Sequence, residues 1–477
     1  MERAVFNFLR KIVEEGHEMH SFVLMKDGER VCEKYWKPFS AECRHQLFSL
    51  SKSFTAIAIG IAVDEKLLTT STLLADIFVD EFEQIGERMN DKVRKMSIKH
   101  LLTMATGMEY EAWSGENRII AFLSAHLKDT PGEIFRYSSV ATYMLSAAIT
   151  RLTGDSLTEY LVPRLFEPLG IKDYYWRSDS YRHLGRSVDF GGFGLNLTTD
   201  SIAKFGQFLL QKGEWNGRQL VSAEWIEEAT AKQIDNSSKT DKTSDWAMGY
   251  GYQFWRCKYE GVYRGDGMYG QYCVVYPAEN IVIAATSNAD MGRVLGLFWE
   301  LLDDLKLKEA EKLADGERLA DFDNLSHLVV EKSDKYPDCT VEYRVVSELS
   351  SPEDFAYWTF DFRGGECVME IYNLRSWENG LKSSVASLLF EERKWLKYAA
   401  PHFVAAEKER DKISRVATYG IWNEAERTFT MTTWFYESAT KDQFRVTFSQ
   451  NYAELVVERR GGGFAEEFRE ICRGARL

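Results

Sequence analysis

The segment from Phe48 to Val63 sets the narrowest limit on how this chain of 477 residues can fold. From Phe54 onward it carries no charge, and threonine is its only strongly polar residue. A helix that is apolar on all sides belongs in the interior of a domain. It is also well short of the ~18 apolar residues that a membrane span needs. The sequence therefore predicts a central buried helix whose polar residues lie only at its N-terminal end.

Two chemically useful side chains, Ser49 and Lys52, stand at that end of the helix. Residues three apart share one helix face. Burial disfavours the charged form of a lysine, and an amine beside a serine hydroxyl can activate it as a nucleophile. The same Ser-x-x-Lys spacing also occurs at Ser201–Lys204 and Ser438–Lys441. A plain helix N-cap at Ser49 and a surface-reaching Lys52 are the structural alternative.

Composition narrows the classes of partner. Asp and Glu total 73 against 59 Lys and Arg, a net charge of −14 that argues against nucleic acid and anionic membrane surfaces. The seven cysteines are scattered without a C-x-x-C pair, and the eight histidines form no H-E-x-x-H pattern, so we expect no metal or cofactor. The N-terminus carries charges throughout and does not resemble a signal peptide. We therefore expect a cytoplasmic protein with reduced thiols.

The order of predicted elements indicates an α+β fold, because strands do not alternate with helices throughout. The pattern predicts an antiparallel sheet flanked by terminal helices, with an inserted helical region. A β-hairpin turns at Asp27-Gly28, as is typical of that dipeptide. The main predicted elements are a helix over 2–15, the hairpin over 21–35, the apolar helix, a mostly helical stretch over 70–185, a helix over 199–211, strands over 248–257, 261–264, 271–276 and 281–286, and a helix over 293–305.

The chain changes character after about residue 306, where short strand patterns dominate. Eight short strands in the last part of the chain are typical of a small antiparallel barrel. They are predicted over 340–346, 355–362, 367–372, 381–390, 416–422, 428–436, 443–449 and 453–458. We expect a catalytic domain over residues 1–310 and a C-terminal β-barrel domain over residues 325–477.

Several motifs occur in an order that points to one family. They are Phe48–Thr55 (F-S-L-S-K-S-F-T), Ile98–Met108 (I-K-H-L-L-T-M-A-T-G-M), Tyr137-Ser138-Ser139, Phe166–Ile171 (F-E-P-L-G-I) and Gly265-Asp266-Gly267. Together they resemble the β-lactamase-like serine hydrolase family, which includes class C β-lactamases, D-alanyl-D-alanine carboxypeptidases, D-aminopeptidases, esterases and the 6-aminohexanoate-dimer hydrolase. The resemblance covers roughly residues 5–305. The C-terminal strands weakly resemble the lipocalin-like barrels that follow the catalytic domain in D-aminopeptidase-type relatives.

The resemblance implies a role for each matching residue. Ser49 would be the nucleophile, Lys52 would help to deprotonate it, and Tyr137 would pass the serine proton to the leaving group. The backbone N–H groups of Ser49 and Met268 would form the oxyanion hole. The candidates for substrate binding are Ser139, Asp266 and Gly267.

Two departures from the family pattern bear on the substrate. Ser139 stands where asparagine is usual, and Gly265 stands where the family has lysine or histidine. Arg264 is adjacent, but strand alternation directs it to the other face, and Asp266 adds a negative charge. We therefore expect an acyl-enzyme hydrolase of a small ester or amide, with less activity on β-lactams or D-Ala-D-Ala. The alternative is a catalytically weak or inactive ligand-binding or sensor protein that keeps the fold.

Overall fold

The structure is a computed structural model. It describes residues 1–306 except 87–89, 110–116, 184 and 238–241, then 313, 316–323 and nine further ranges: 339–345, 357–363, 366–372, 386–391, 396–401, 413–435, 440–448, 452–460 and 468–476. The chain divides into two compact units. The first consists of Met1–Tyr35 and Ala41–Asp323, and the second of Trp36–Ser40 and Asn324–Leu477. The domain limits 1–310 and 325–477 stay a prediction.

The described part of the first unit contains thirteen α-helices. They are α1 (Glu2–Glu14), α2 (Ser51–Asp64), α3 (Leu74–Ile77), α4 (Val79–Ile85), α5 (Asp91–Arg94), α6 (Ile98–Leu102), α7 (Arg118–Leu123), α8 (Ser139–Thr153), α9 (Leu157–Leu161), α10 (Glu167–Leu169), α11 (Thr199–Leu210), α12 (Ala223–Thr230) and α13 (Met291–Lys306).

The strands of the first unit form one large sheet and three small ones. They are β1 (Met19–Lys26), β2 (Glu29–Tyr35), β3 (His45–Gln46), β4 (Tyr174–Trp176), β5 (Ser178–His183), β6 (Arg186–Asp189), β7 (Leu195–Leu197), β8 (Glu214–Trp215), β9 (Arg218–Gln219), β10 (Trp255–Arg256), β11 (Tyr263–Gly267), β12 (Gln271–Tyr276) and β13 (Ile281–Ser287). The large sheet has the order β10-β11-β12-β13-β1-β2, and its pairs are antiparallel. The predicted α+β arrangement of antiparallel sheet, flanking helices and helical insertion is therefore confirmed.

The hairpin of β1 and β2 follows the sequence prediction. Asp27 and Gly28 both have positive φ values, 52° and 83°, as the tight turn of a two-residue hairpin requires. The last strand, β13, pairs with β1 and so closes the sheet next to the hairpin. The chain therefore brings its first and last sheet segments of this unit together, although more than 200 residues separate them in sequence.

Aromatic side chains hold helices against the sheet. Phe8 of α1 lies 4.5 Å from Phe22 of β1 and 5.7 Å from Phe298 of α13, measured between ring centroids. Since all three rings are buried, α1 and α13 share one packing site on the sheet. On α11, a Cβ at Gly206 would lie only 2.3 Å from Val282 of β13, so that helix packs closely on the sheet as well.

Helix α2 is buried along almost its whole length, as its sequence predicts. Every residue from Ser51 to Ala62 is buried. The ring of Phe54 stacks on Phe205 of α11 at 3.8 Å between centroids. On another side, Gly60 lies against the indole of Trp225 in α12. A short 3₁₀ turn, Phe48–Leu50, precedes the helix and carries Ser49.

The predicted strand over 248–257 is wrong for most of its length. Only Trp255 and Arg256 form a strand there, β10. Upstream, Gly249 and Gln253 adopt positive φ values of 114° and 65°, which no regular strand accommodates. Gln253 is fixed by its buried amide, which donates to Leu102 O at 2.9 Å and accepts from Thr142 at 2.7 Å. The segment therefore acts as an ordered loop that ties the helices to β10.

The second unit contains one antiparallel sheet of ten strands in its described part. They are β14 (Cys339–Val345), β15 (Tyr357–Arg363), β16 (Glu366–Tyr372), β17 (Ala386–Glu391), β18 (Leu396–Pro401), β19 (Ile413–Asn423), β20 (Thr428–Phe435), β21 (Thr440–Phe448), β22 (Tyr452–Arg460) and β23 (Phe468–Arg476). Their order is β17-β16-β15-β14-β23-β22-β21-β20-β19-β18. The sequence analysis missed β18 and β23, and the start of the strand predicted over 381–390 lies outside the described residues. Closure of the sheet into a barrel stays a prediction.

Among the helices that the structure describes, none combines the length and the apolar composition that a membrane crossing requires.

Two helical glycines should respond in opposite ways to substitution by alanine. At Gly60 a Cβ would lie 2.3 Å from two atoms of the Trp225 indole, whereas at Gly296 of α13 the nearest atom is 4.0 Å away. We expect Gly60→Ala to lower the free energy of unfolding by about 1–3 kcal/mol, through overpacking. Gly296→Ala should raise it by about 0.5–1 kcal/mol, because alanine is the better helix former.

Urea denaturation followed by tryptophan fluorescence measures both changes. Equal effects of the two substitutions would contradict the close packing of α2 against α12.

Candidate active site

The turn that carries Ser49 is held in a strained conformation. Phe48, the residue before it, has a φ of 47°, a left-handed conformation that costs a non-glycine residue about 1–2 kcal/mol. The hydroxyl of Ser51 donates to Phe48 O at 2.7 Å and accepts from the backbone N–H of Leu195 at 3.2 Å. Ser49 itself is half-buried at the start of α2. Neighbouring contacts therefore fix the backbone on which the Ser49 hydroxyl is presented.

Lys52 is 1% exposed, and its terminal nitrogen forms hydrogen bonds with three separate segments. Its Nζ donates to the Ser49 hydroxyl at 3.1 Å, to the Ser139 hydroxyl at 3.0 Å and to the backbone carbonyl of Gly192 at 2.6 Å. The two residues of the Ser-x-x-Lys motif are thus in direct contact, together with the last serine of Tyr137-Ser138-Ser139.

Tyr137 lies beside the same ammonium group. The Lys52 Nζ is 4.8 Å from the centroid of its ring, over the ring face. The backbone on either side is fixed by Met104, whose carbonyl accepts from Arg136 N at 2.7 Å and whose sulfur accepts from Ser138 N at 3.3 Å. Tyr137 is 37% exposed, so part of the ring also faces solvent. The segment Ile98–Met108, noted in the sequence as a motif, therefore supports Tyr137.

The two serines after Tyr137 have different structural roles. Ser138 is the N-cap of α8, since its hydroxyl accepts from Ala141 N at 3.2 Å. Ser139 begins the helix and points its hydroxyl to Lys52. At the position where the family carries asparagine, this serine supplies the hydrogen-bond acceptor.

Strand β11 brings Gly267 and Met268 next to the Ser49 turn. A Cβ at Gly267 would lie 2.0 Å from Leu47 O and 3.2 Å from the Cβ of Phe48, so only glycine allows this approach. Met268 follows directly and its side chain is 39% exposed. The N-terminal N–H groups of a helix lack acceptors within the helix. The arrangement thus places the Ser49 turn and the backbone leading to Met268 side by side, as an oxyanion hole would need.

Asp266 lies on the other face of β11 from Gly265 and Gly267, because side chains alternate along a strand. It is 5% exposed, and its Oδ2 accepts from Arg264 Nε at 2.9 Å and from the Trp246 indole at 3.0 Å. Burial raises the pKa of Asp266, while Arg264 and the indoles of Trp246 and Trp255 favour its charged form. The structure therefore does not bring Asp266 to the face of the strand that meets Ser49, and the sequence argument that used its charge loses support.

Sequence reasoning missed two residues at this site. The carbonyl of Gly192 accepts from Lys52, and Trp255 stacks on Tyr137 at 5.4 Å between centroids. The sequence signal for Gly192 is the glycine-rich stretch Asp189–Gly194, whereas a single tryptophan carries no signal of its own. In the described part of the chain, no three His, Cys, Asp or Glu side chains form a group that could hold a metal ion.

Comparison with known proteins identifies the family. A family description named beta-lactamase matches residues 9–301, which is more than half of the chain. The chain belongs to the beta-lactamase family. This beta-lactamase family member is 24% identical over 300 residues to the 6-aminohexanoate-dimer hydrolase of Paenarthrobacter ureafaciens, covering 56% of the chain and 72% of that protein. It is 22% identical over 240 residues to an uncharacterized protein of Alkalihalophilus pseudofirmus, covering 46% of the chain and 66% of that protein.

Solved structures of the same fold also superpose on this chain. The D-amino acid amidase of Ochrobactrum anthropi SV3 superposes with a TM-score of 0.50 and 15% identity, over 64% of this chain and 98% of the amidase. EstCE1, a hydrolase with promiscuous acyltransferase activity, gives 0.51 and 16%, over 63% and 97%. At this level of identity the likeness establishes the fold.

The contact between Ser139 and Lys52 can be tested through stability. Ser139→Ala leaves one N–H of a buried ammonium without its acceptor, and we expect it to lower the free energy of unfolding by about 1–2 kcal/mol. Ser139→Asn keeps an acceptor, the amide oxygen, and should lose less. Urea denaturation measures both. An alanine variant as stable as the unsubstituted protein would show that Lys52 does not depend on this hydroxyl.

Proposed function

We propose that this protein is a serine hydrolase that cleaves an ester or an amide through an acyl-enzyme on Ser49. The observation that carries the proposal is the contact of the Lys52 ammonium with both the Ser49 and Ser139 hydroxyls, beneath the ring of Tyr137. A buried lysine is costly unless its charge is compensated, and here the compensation includes the candidate nucleophile. The neighbouring matches support hydrolysis, since their names include a dimer hydrolase, an amidase and a hydrolase with acyltransferase activity.

In the proposed reaction the Ser49 oxygen attacks the carbonyl carbon of the substrate. The serine proton passes to the oxygen of Tyr137, which acts as a phenolate whose negative charge Lys52 stabilises until the proton is taken up. The negative carbonyl oxygen of the tetrahedral intermediate accepts from the N–H groups of Ser49 and Met268. The bond to the leaving group then breaks as Tyr137 returns the proton to the departing oxygen or nitrogen. Water repeats the sequence on the acyl-enzyme and releases the acid.

We further propose that the substrate has no carboxylate near Gly265. The family's lysine or histidine is absent there, and a Cβ at Gly265 would already lie 2.5 Å from Leu50 and from the Ser53 hydroxyl. Arg264, the adjacent cation, is 0% exposed and paired with Asp266 on the other face of the strand. A neutral ester or amide therefore fits better than a penicillin or a D-Ala-D-Ala terminus. This conclusion depends on the missing side chain at Gly265 and does not use the charge of Asp266.

The nucleophile can be identified by covalent labelling. Incubation with a fluorophosphonate should add one adduct to the intact mass, and Ser49→Ala should abolish both that adduct and the hydrolysis of p-nitrophenyl butyrate. Ser201→Ala is the matched control, because Ser201 belongs to a second Ser-x-x-Lys sequence, and it should label normally. Lys52→Ala should slow labelling at least a hundredfold through loss of the stabilising charge.

The proposal fails if the unsubstituted protein takes up no adduct and hydrolyses no ester. That result would favour the alternative, a ligand-binding protein that keeps the fold. Full labelling of Lys52→Ala would refute the role given to the lysine.

Substrate charge can be tested with a matched pair of esters. p-Nitrophenyl hemisuccinate differs from p-nitrophenyl butyrate mainly by a carboxylate at the end of its acyl chain. We expect kcat/KM to be at least tenfold higher for the butyrate, because no side chain extends from Gly265 to pair with the carboxylate. Nitrocefin, whose ring carries a carboxylate, should be hydrolysed slowly or not at all. Preference for the hemisuccinate, or fast nitrocefin turnover, would contradict a neutral substrate.

A further inference from the structure

Tyr137 belongs to a cluster of aromatic rings that the sequence does not reveal. Its ring stacks on Trp255 at 5.4 Å between centroids, with the two planes 19° apart, and meets the edge of Tyr250 at 6.2 Å. Phe135 packs on the far rings, 5.1 Å from Tyr250 and 5.9 Å from Trp255. Trp255 thus supplies the parallel face against which the exposed phenol rests, while Tyr250 and Phe135 fill in behind it.

Trp255 is itself fixed by charged groups on the hidden face of β11. It pairs in the sheet with Arg264, whose guanidinium lies 5.9 Å from the centre of its ring and 4.9 Å from that of Trp246. Arg264 is bound to Asp266, and the indole of Trp255 contributes a hydrogen bond that lowers the pKa of that carboxyl. The platform under Tyr137 is therefore attached to a fully buried ion pair.

We propose that Trp255 is a positioning residue for Tyr137, and that the Arg264–Asp266 pair holds Trp255 in place. The inference rests on the proposed function, in which the Tyr137 oxygen carries the serine proton. It assigns a purpose to a buried ion pair whose side chains lie on the face of β11 away from Ser49. A buried ion pair adds little net stability over apolar side chains of similar size, so its use in orienting a ring accounts for it better than stability does.

The stack matters because part of the Tyr137 ring faces solvent. With 37% of the residue exposed, the ring keeps its place over the Lys52 ammonium only while another face supports it. A displacement of about 1 Å in a proton-transferring group can cost about a hundredfold in rate. Trp255 therefore controls the distance between the phenol and the ammonium without touching the substrate's reacting atoms.

Charged and titratable groups near this ring include Lys52 from α2, Tyr250 from the loop before β10, and Arg264 and Asp266 from β11. Burial raises the pKa of Tyr250 well above its ordinary value, so that phenol stays protonated across the working range. In the proposed mechanism, the acidic limb of the pH profile then belongs to the pair of Tyr137 and Lys52.

The test compares two substitutions of Trp255 in the full-length protein with p-nitrophenyl butyrate as substrate. Trp255→Leu removes the stacking face, and we expect kcat to fall tenfold to a hundredfold with KM changed less than threefold. Its acidic limb should move to higher pH, because a ring that drifts from the Lys52 ammonium loses the positive charge that favours its ionised form. Trp255→Phe keeps an aromatic face and should recover most of kcat, with a smaller movement of the limb.

Trp299→Leu is the matched control. Trp299 also stacks on a tyrosine, Tyr259 at 5.5 Å, and its indole also donates to a buried carboxylate, Asp245 at 3.0 Å. It therefore reports the structural cost of losing a similar tryptophan, and we expect its kcat and acidic limb to match those of the unsubstituted enzyme. Thermal unfolding and the fraction labelled by fluorophosphonate correct each variant for loss of folded protein.

The inference is overturned if the acidic limb stays in place in both Trp255 variants, or if Trp299→Leu moves it equally. Should Trp255→Leu fail to fold, the movement of the limb in Trp255→Phe decides alone. Ser49→Ala separates this inference from the proposed function. If hydrolysis survives Ser49→Ala, the proposed function fails, whereas loss in Ser49→Ala with unmoved Trp255 variants removes only the role of Trp255.

Discussion

The buried ammonium of Lys52 is the constraint on which the site depends. Three of its hydrogen-bond acceptors come from three separate segments: the 3₁₀ turn of Ser49, the first residue of α8 and the loop at Gly192. A charge buried without such partners costs several kcal/mol, so all three segments must hold their places together. The loop can reach Lys52 only because it carries glycines, since a Cβ at Gly192 would lie 2.8 Å from Ser139 O. The packing of α2 against α8 therefore also determines where the side chains of Ser49, Lys52 and Ser139 lie.

Much of this arrangement could be predicted because local sequence patterns determine it. The uninterrupted apolar run predicted the buried helix α2, and Asp27-Gly28 predicted the hairpin. The Ser-x-x-Lys spacing placed Ser49 and Lys52 within contact, since helix geometry alone brings such residues together. At the second occurrence of the motif, Lys204 pairs with Asp200 instead, as an ordinary surface lysine does. The Ser-x-x-Lys spacing predicts that the two side chains lie close together, and the neighbouring residues determine which partner the lysine binds.

The remaining features depend on long-range contacts, which local patterns do not encode. The segment before β10 has strand-like composition, yet the buried amide of Gln253 holds it as a loop between helices. Asp266 is the exception, because the strand alternation that directs Arg264 away from Ser49 also directs Asp266 away, and this could have been predicted from the sequence. Trp255 gains its place under Tyr137 only through tertiary structure. In the second unit, β18 and β23 were missed for a similar reason, since their alternation is weak and pairing with neighbours defines them.

At Gly267 the backbone of β11 lies directly against the turn that carries Ser49. A Cβ at Gly267 would lie 2.0 Å from Leu47 O, so the spacing between β11 and the Ser49 turn is set mainly by backbone contact, with the Ser51 hydroxyl holding the turn. Exposed residues such as Met268 and Tyr137 lie outside that contact. Substitutions among them can change the exposed side of the site while the spacing between β11 and the Ser49 turn stays constant. If the Ser49 and Met268 amides form the proposed oxyanion hole, such substitutions can change the substrate preference while the stabilisation of the oxyanion is kept.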